Sequence, residues 1–365
     1  MKILAVGAGS MGRRRLRDLL ALEAGEVVLY EPQADRCYEI AARFGLRGFT
    51  DFEKALAEKP DAMTVSTPPA LHDRYVQKAV DLRIHVFAEV PFVLDPEVLG
   101  AITATADDYP SVLGVSHTMR YYPPVRIIHD RILSGHIGKP LYLEYSLGNY
   151  LPDWHPYEDY RRFYASDVSL GGAGMDMLLH ELNAIQWWMG GVRRVSARLT
   201  KLSSLEIEGP DNHDIMLDFE NGGRGFFHHD VIEQGTVGRH IRVIGEEGTI
   251  EWHQNLPSVR LYQGSAKLSR ELGFDQAADW LAALKASREM TEILARQQPQ
   301  SGRLPSASAL SFTYESCYLR EMCHFLDAVR GEHPYSMATL SEEATTIRVF
   351  HAIMRSNEQK CEVNV

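Results

Sequence analysis

Three stretches of the chain carry groups that could do chemistry. VGAGSMG, near the N-terminus, sets Gly7, Gly9 and Gly12 in a GxGxxG spacing with Ser10 and Met11 between them. It follows an apolar run and opens a helical pattern. Glycines so spaced permit a tight turn and let backbone approach a pyrophosphate seated on the helix N-terminus. MDMLLHELN places Asp176, His180 and Asn183 at i, i+4 and i+7, on one helix face. An acid, an imidazole and an amide in that order suit general acid–base work, because the imidazole moves a proton while a neighbour fixes its tautomer. HVFAEVPFVLD, His85 to Asp95, has the form of a strand end and a turn. At its centre is Val90, which can neither give nor take a proton.

Further side chains would supply specificity. Glu31 follows Gly12 by nineteen residues, near the spacing of an acid that accepts from an adenosine ribose. A carboxylate there repels a 2′-phosphate, so NAD is expected over NADP, although Arg36 nearby would serve an NADP. The alternative is a tight structural turn beside a solvated acid. LPDWHPYEDYRRFYASD is dense in rings and charges, with Trp154, His155, Tyr160, Arg161 and Tyr164. With Arg120 and Tyr121 it suits a polyhydroxylated ligand, since rings cover sugar faces and Arg forks onto anions. Such a loop equally builds a dimer face. His228 and His229 sit on a strand and point to opposite faces, so only one can face a cleft. Trp187 and Trp188 read as core or interface.

The elements that must position these groups follow two styles. Over the first 120 or so residues, KILAVGA, EVVLYE, DAMTVST, HVFAEV and SVLGVSH are apolar strands separated by amphipathic helical patterns. That alternation means a parallel sheet covered on both faces, the Rossmann-type doubly wound α/β arrangement. After Tyr122-Pro123-Pro124 the text changes. Helical patterns at VRIIHDRILSG and MDMLLHELNAIQWWMG flank strand-period runs from about 192 to 263, with FENGG as a hairpin turn. The expected class is α/β, with an N-terminal Rossmann domain over 1–121. A C-terminal α+β domain over 122–365 is built on a large, open, mainly antiparallel sheet. Residues from about 268 to 312 read as one or two helices and a polar linker. A last helix pair, broken by RGEHPYS, is able to pack back on the first domain.

Composition excludes several classes. Net charge is −11 and hydrophobic residues make up 45%, which argues against a nucleic-acid surface and against disorder. The run Arg13-Arg14-Arg15 reads as part of a mixed helix. The four cysteines, at 37, 317, 323 and 361, show no CxxC spacing, so no metal site is expected from them. Free thiols suit a reducing, cytoplasmic setting. The N-terminal apolar run is too short for a signal peptide or membrane span.

These motifs resemble the glucose–fructose oxidoreductase/inositol dehydrogenase family over nearly the whole length. STPPALHDRYVQKAVDLRIHVFAEVP is similar to the family's third and fourth strands, MRYYPPVR and LSGHIGKP to its crossover, and GGAGMDMLLHELN to its histidine helix. The resemblance implies that Thr67, Pro68 and His72 line the nicotinamide side, that Glu89 and Pro91 close the strand, and that Asp176 and His180 act on substrate. It also implies a small carbohydrate substrate and a homodimer or homotetramer formed through the C-terminal sheet. Two positions depart from the pattern. The usual Glu-Lys-Pro is Glu89-Val90-Pro91, and the last helix acid is Asn183. Losing one electrostatic contact to a reacting oxygen costs roughly 2.7–4 kcal/mol of barrier. Three readings stay open: an NAD(P)-dependent oxidoreductase of a sugar, sugar acid, nucleotide sugar or polyol; an NAD-dependent glycosidase with no net redox change; and a catalytically impaired NAD-binding regulatory protein.

Overall fold

The computed structural model describes residues 1–154, 159–172, 174–235, 238–254, 256–274 and 309–365. The chain divides into two compact units. One comprises Met1–Thr118 with Cys317–Ile347, the other Met119–Ser316 with Arg348–Val365.

In the first unit, strands β1 (Lys2–Val6), β2 (Glu26–Tyr30), β3 (Arg47–Phe49), β4 (Ala62–Val65), β5 (His85–Ala88) and β6 (Leu113–Val115) form one sheet in the order β3-β2-β1-β4-β5-β6. All neighbours run parallel. The strand order reverses beside β1, the crevice where doubly wound sheets bind ligands. Helices α1 (Ser10–Ala21), α2 (Ala34–Phe44), α3 (Phe52–Leu56), α4 (His72–Asp81) and α5 (Pro96–Thr105) make the crossovers. The five apolar runs read from the sequence are all strands. The sixth, β3, is only three residues long at the sheet edge, too short to show a period. The core joins Ile3, Leu29, Ile40 and Phe87 to Met322, Phe325 and Leu326 from the far end of the chain.

In the second unit, α6 (Pro123–Leu133) and α7 (Met175–Met189) accompany a nine-stranded sheet. Its strands are β7 (Pro140–Gly148), β8 (Val192–Thr200), β9 (Asn212–Phe219), β10 (Arg224–Asp230), β11 (Gly238–Gly245), β12 (Gly248–His253), β13 (Ser258–Gln263), β14 (Leu268–Gly273) and β15 (Val363–Asn364). The order is β14-β13-β12-β11-β7-β10-β9-β8-β15. Every pairing is antiparallel except β7 with β10. FENGG is the β9–β10 hairpin: Phe219 N–H donates to Gly223 O, and Gly222 takes positive φ.

One expectation fails. Leu268–Gly273 is an extended edge strand paired with β13, not the start of a helix. Arg260 on β13 meets Glu271 on β14 at 2.8 Å. A six-residue, largely polar strand with no buried face has neither period to read. The rest of that segment, 275–308, lies outside the described residues. Helices α8 (Ala309–Val329) and α9 (Leu340–Gln359) follow, with RGEHPYS between them. No helix among the described residues is long and apolar enough to cross a membrane.

Candidate active site and cofactor loop

In the first unit the glycine loop is shaped by packing. A Cβ on Gly12 would stand 2.0 Å from Gly7 O, and one on Gly7 would stand 2.5 Å from Ser66 O. Both glycines are therefore required by the turn itself. Gly9 differs, because a Cβ there meets nothing within 4 Å. Gly9 is also the N-cap of α1, with no side-chain cap bond and no acid in the first turn. The orphan N–H groups of Ser10, Met11 and their neighbours thus face an open approach of the kind a pyrophosphate needs.

Glu31 ends β2 beside this loop and is 4% exposed. One carboxylate oxygen accepts from Ala8 N–H at 2.9 Å and the other from Gln33 N–H at 3.0 Å. Arg36 stands 3.9 Å away. The acid is held by backbone on both oxygens, so its charge is fixed where a ribose would arrive. His72, buried, ties two strand ends together. Its Nδ1 lies 2.5 Å from Pro91 O and its Nε2 2.8 Å from Thr67 O. Thr67 and Pro91 are thereby positioned by one imidazole.

The strand end at Glu89-Val90-Pro91 is buried and braced. Val90 is 3% exposed. Glu89 is engaged by Arg15, Nε to Oε1 at 2.6 Å and Nη2 to Oε2 at 3.2 Å. The same guanidinium donates to Glu321 at 2.7 Å and to Ser116 at 3.0 Å, and its carbon stands 4.7 Å from the centre of the Phe87 ring. Burial alone would push the Arg15 pKa down, but Glu89 and Glu321 more than offset this and hold it up. Burial also pushes the Glu321 carboxyl up, against the pull of Arg15. One residue further, Phe92 N–H donates to Glu343 at 2.9 Å, and Glu343 lies 2.9 Å from His117 Nε2. Two acids from α8 and α9 therefore fix the turn after β5. Arg15 was not recognised in the sequence as a site residue. A basic run in a helix gives no sign that its last member is the buried one that pairs with Glu89.

In the second unit α7 is anchored on both sides. Glu181, fully buried, accepts from Arg239 Nη2 at 2.5 Å and Nε at 3.1 Å, and from the Tyr145 hydroxyl. Trp188 Nε1 donates to Val125 O at 3.2 Å. On the adjacent face stand His180, Asn183 and Trp187. Arg120 Nε donates to Asn183 Oδ1 at 2.8 Å, and the Arg120 guanidinium carbon lies 5.1 Å from the centre of the Trp187 ring. Trp187 in turn stacks on His129 at 3.7 Å. Two expected substrate contacts, Arg120 and Asn183, are thus joined to each other and buried, with Tyr121 buried beside them in sequence. His180 is half-buried in mid-helix. Asp176 lies on α7, but its side chain falls outside the described residues, as do His155 and Ala173.

The aromatic loop makes a small core of its own. Trp154, Tyr160 and Tyr164 pack with Phe163 around Leu151, Ala165 and Val231. Arg161 is exposed and pairs with Asp159 at 2.8 Å and Glu206 at 3.2 Å. Of the two strand histidines, His229 is fully buried and His228 is part-exposed between Asp214 (2.8 Å) and Asp230 (3.0 Å). His229 lies 3.2 Å from His213, and a Cβ on Gly174, the N-cap of α7, would come within 2.6 Å of its ring. Burial pushes His213 down to about 4 and His229 well below its usual range, whereas the hydrogen bond to Asp230 lifts His228 to about 8.

Comparison with known proteins gives the family. Residues 1–117 match the model for the oxidoreductase family with an NAD-binding Rossmann fold, and residues 125–251 match the GFO/IDH/MocA C-terminal domain. The chain belongs to the GFO/IDH/MocA oxidoreductase family. UDP-N-acetylglucosamine 3-dehydrogenase of Acidithiobacillus ferrooxidans is 30% identical over 146 residues, 40% of this chain and 44% of that protein. D-xylose 1-dehydrogenase [NADP(+)] of Haloarcula marismortui is 28% identical over 54% of each chain. The chain thus spans about half the length of these two relatives. scyllo-Inositol 2-dehydrogenase (NAD(+)) of Bacillus subtilis is 24% identical over 68% of this chain and 73% of its own. Levoglucosan dehydrogenase in complex with NADH superposes with a TM-score of 0.80 at 18% identity, covering 100% of this chain and 99% of that one. At that identity the likeness shows a shared fold.

Proposed function

We propose that this GFO/IDH/MocA protein is an NAD(P)-dependent oxidoreductase of a carbohydrate derivative, with NAD preferred. The observation that carries the reading is the glycine loop. An open approach at Gly9, uncapped helix N–H groups and an acid fixed by Ala8 and Gln33 together match the demands of a dinucleotide. Gly7, Gly9, Ser10, Met11 and Gly12 would hold the pyrophosphate and Glu31 the ribose, while Thr67, Pro68, His72, Glu89 and Pro91 shape the nicotinamide end. When bound, the nicotinamide accepts or gives a hydride at a carbinol carbon. His180 takes or returns the hydroxyl proton, and Asp176 orients it. Arg120 and Asn183, bonded to each other, hold the far end of that helix face. Trp154, Tyr160, Arg161 and Tyr164 bound the carbohydrate. The relatives named for UDP-N-acetylglucosamine, xylose and inositol support the substrate class.

Val90 leaves no ammonium at the strand end, so the proton rests on His180 alone. A homo-oligomer through the open sheet belongs to the same proposal, because exposed Tyr142, Met216 and Tyr262 lie on its strands. The test is a titration with NADH and with NADPH followed by nicotinamide fluorescence, then a panel of polyols, sugar acids and nucleotide sugars with NAD⁺. Saturable NADH binding, weaker NADPH binding and substrate-dependent nicotinamide reduction are expected. Absence of binding by either nucleotide would overturn the reading.

A further inference from the structure

The sheet of the second unit carries a row of polar side chains on the face opposite its buried residues. Along β11 and β12, Ile241, Val243, Ile250 and Trp252 are buried, while His240, Glu251 and His253 alternate with them on the other side. Register sets His240 directly across from His253, and Glu251 lies two residues along the same strand face. The His240 and His253 rings stack at 3.8 Å and 9°, and His240 Nε2 stands 3.2 Å from Glu251 Oε1. One ligand atom from each of the three lies within 4.8 Å of the others.

We infer that His240, Glu251 and His253 form a divalent transition-metal site of the zinc class on the open face of this sheet. Two imidazole nitrogens and one carboxylate oxygen are the donors that zinc takes, with solvent in the fourth place. A tetrahedral ion with bonds of about 2.1 Å needs its ligand atoms about 3.4 Å apart. The His240 Nε2–Glu251 Oε1 separation of 3.2 Å already matches that spacing. Competing partners are weak. Arg260 approaches Glu251 only at 3.9 Å and is drawn instead to Glu271 at 2.8 Å. Arg242, across from Glu251, faces Glu144 at 3.7 Å. Nitrogen ligands disfavour calcium and magnesium, which seek oxygen. All three ligands come from one chain, on the sheet face proposed above to meet a second copy.

The set escaped sequence reading because its members lie eleven and thirteen residues apart, across a hairpin, where only strand register unites them. The experiment is calorimetric titration of the chelator-treated full chain with Zn²⁺, and with Mg²⁺ for contrast, in the native sequence and in His253→Ala and Glu251→Gln. Both substitutions are on a half-exposed face, and far-ultraviolet circular dichroism checks that each variant is folded. Expected are one Zn²⁺ bound per chain, no Mg²⁺ response, and a loss of affinity greater than about tenfold in each variant. A His228→Asn control, elsewhere on the same face, keeps native affinity. Native-like Zn²⁺ affinity in His253→Ala, or no Zn²⁺ binding by the native chain, would overturn the assignment.

Discussion

Arg15 Nε lies 2.6 Å from Glu89 Oε1, with both side chains buried. This pair ties the first helix to the strand end at Glu89-Val90-Pro91. Glu321 completes it, so one guanidinium serves two carboxylates in the interior. Removing the cation takes from two buried acids the guanidinium they share. Arg15→Met is expected to destabilise the chain by about 3–5 kcal/mol, the range for breaking a buried ion pair. Urea unfolding measures it. A change under about 1 kcal/mol, the size of an exposed pair, would show that the acids find other partners.

Glu31→Gln tests nucleotide choice. The amide oxygen can still accept from a backbone N–H, but the charge that repels a 2′-phosphate is gone. Hydrogen bonds to charged groups contribute about 1.5–3 kcal/mol, so the preference for NADH over NADPH should fall by roughly tenfold or more. Dissociation constants for the two nucleotides, measured side by side, decide it.

Stability should depend on pH in two opposed ways. His213 and His229 are buried neutral, with His213 near 4 against an ordinary 6.5. Between those values the unfolded chain binds more protons, so stability falls as pH drops from 6.5 toward 4. His228, near 8, works in reverse. Its contribution is full below 6.5 and is lost as pH rises through 8. His228→Asn should therefore flatten the alkaline fall in the urea midpoint and leave the acid fall intact. An unchanged alkaline limb would contradict the role given to Asp230 and Asp214.

Much of the fold was legible because period and composition speak for long elements. Five buried strands, the glycine loop and FENGG were all readable from residues 1–121 and 212–230. The short edge strands β3 and β14 were not, since three residues, or a hexamer with its charges adjacent at Arg270 and Glu271, show no readable period. The histidine helix was recognisable from spacing. Its anchoring was not, because Glu181, Arg239 and Tyr145 are distant in sequence and meet only when the helix lies on the sheet. The same holds for Arg15, Glu89 and Glu321, which span nearly the whole chain. Arg120 and Asn183 were read as ligand contacts, and their mutual bond was invisible to a pattern of spacings.

The proton role of His180 is the centre of the functional account. Its most direct test compares the native chain with His180→Asn, each supplied with NAD⁺ and the same carbohydrate panel, following nicotinamide reduction alongside NADH affinity. The account predicts that kcat falls by roughly 10²–10⁴, the usual worth of a positioned acid–base group, while NADH binds as before. Native turnover in the variant would contradict it and move the proton to another side chain.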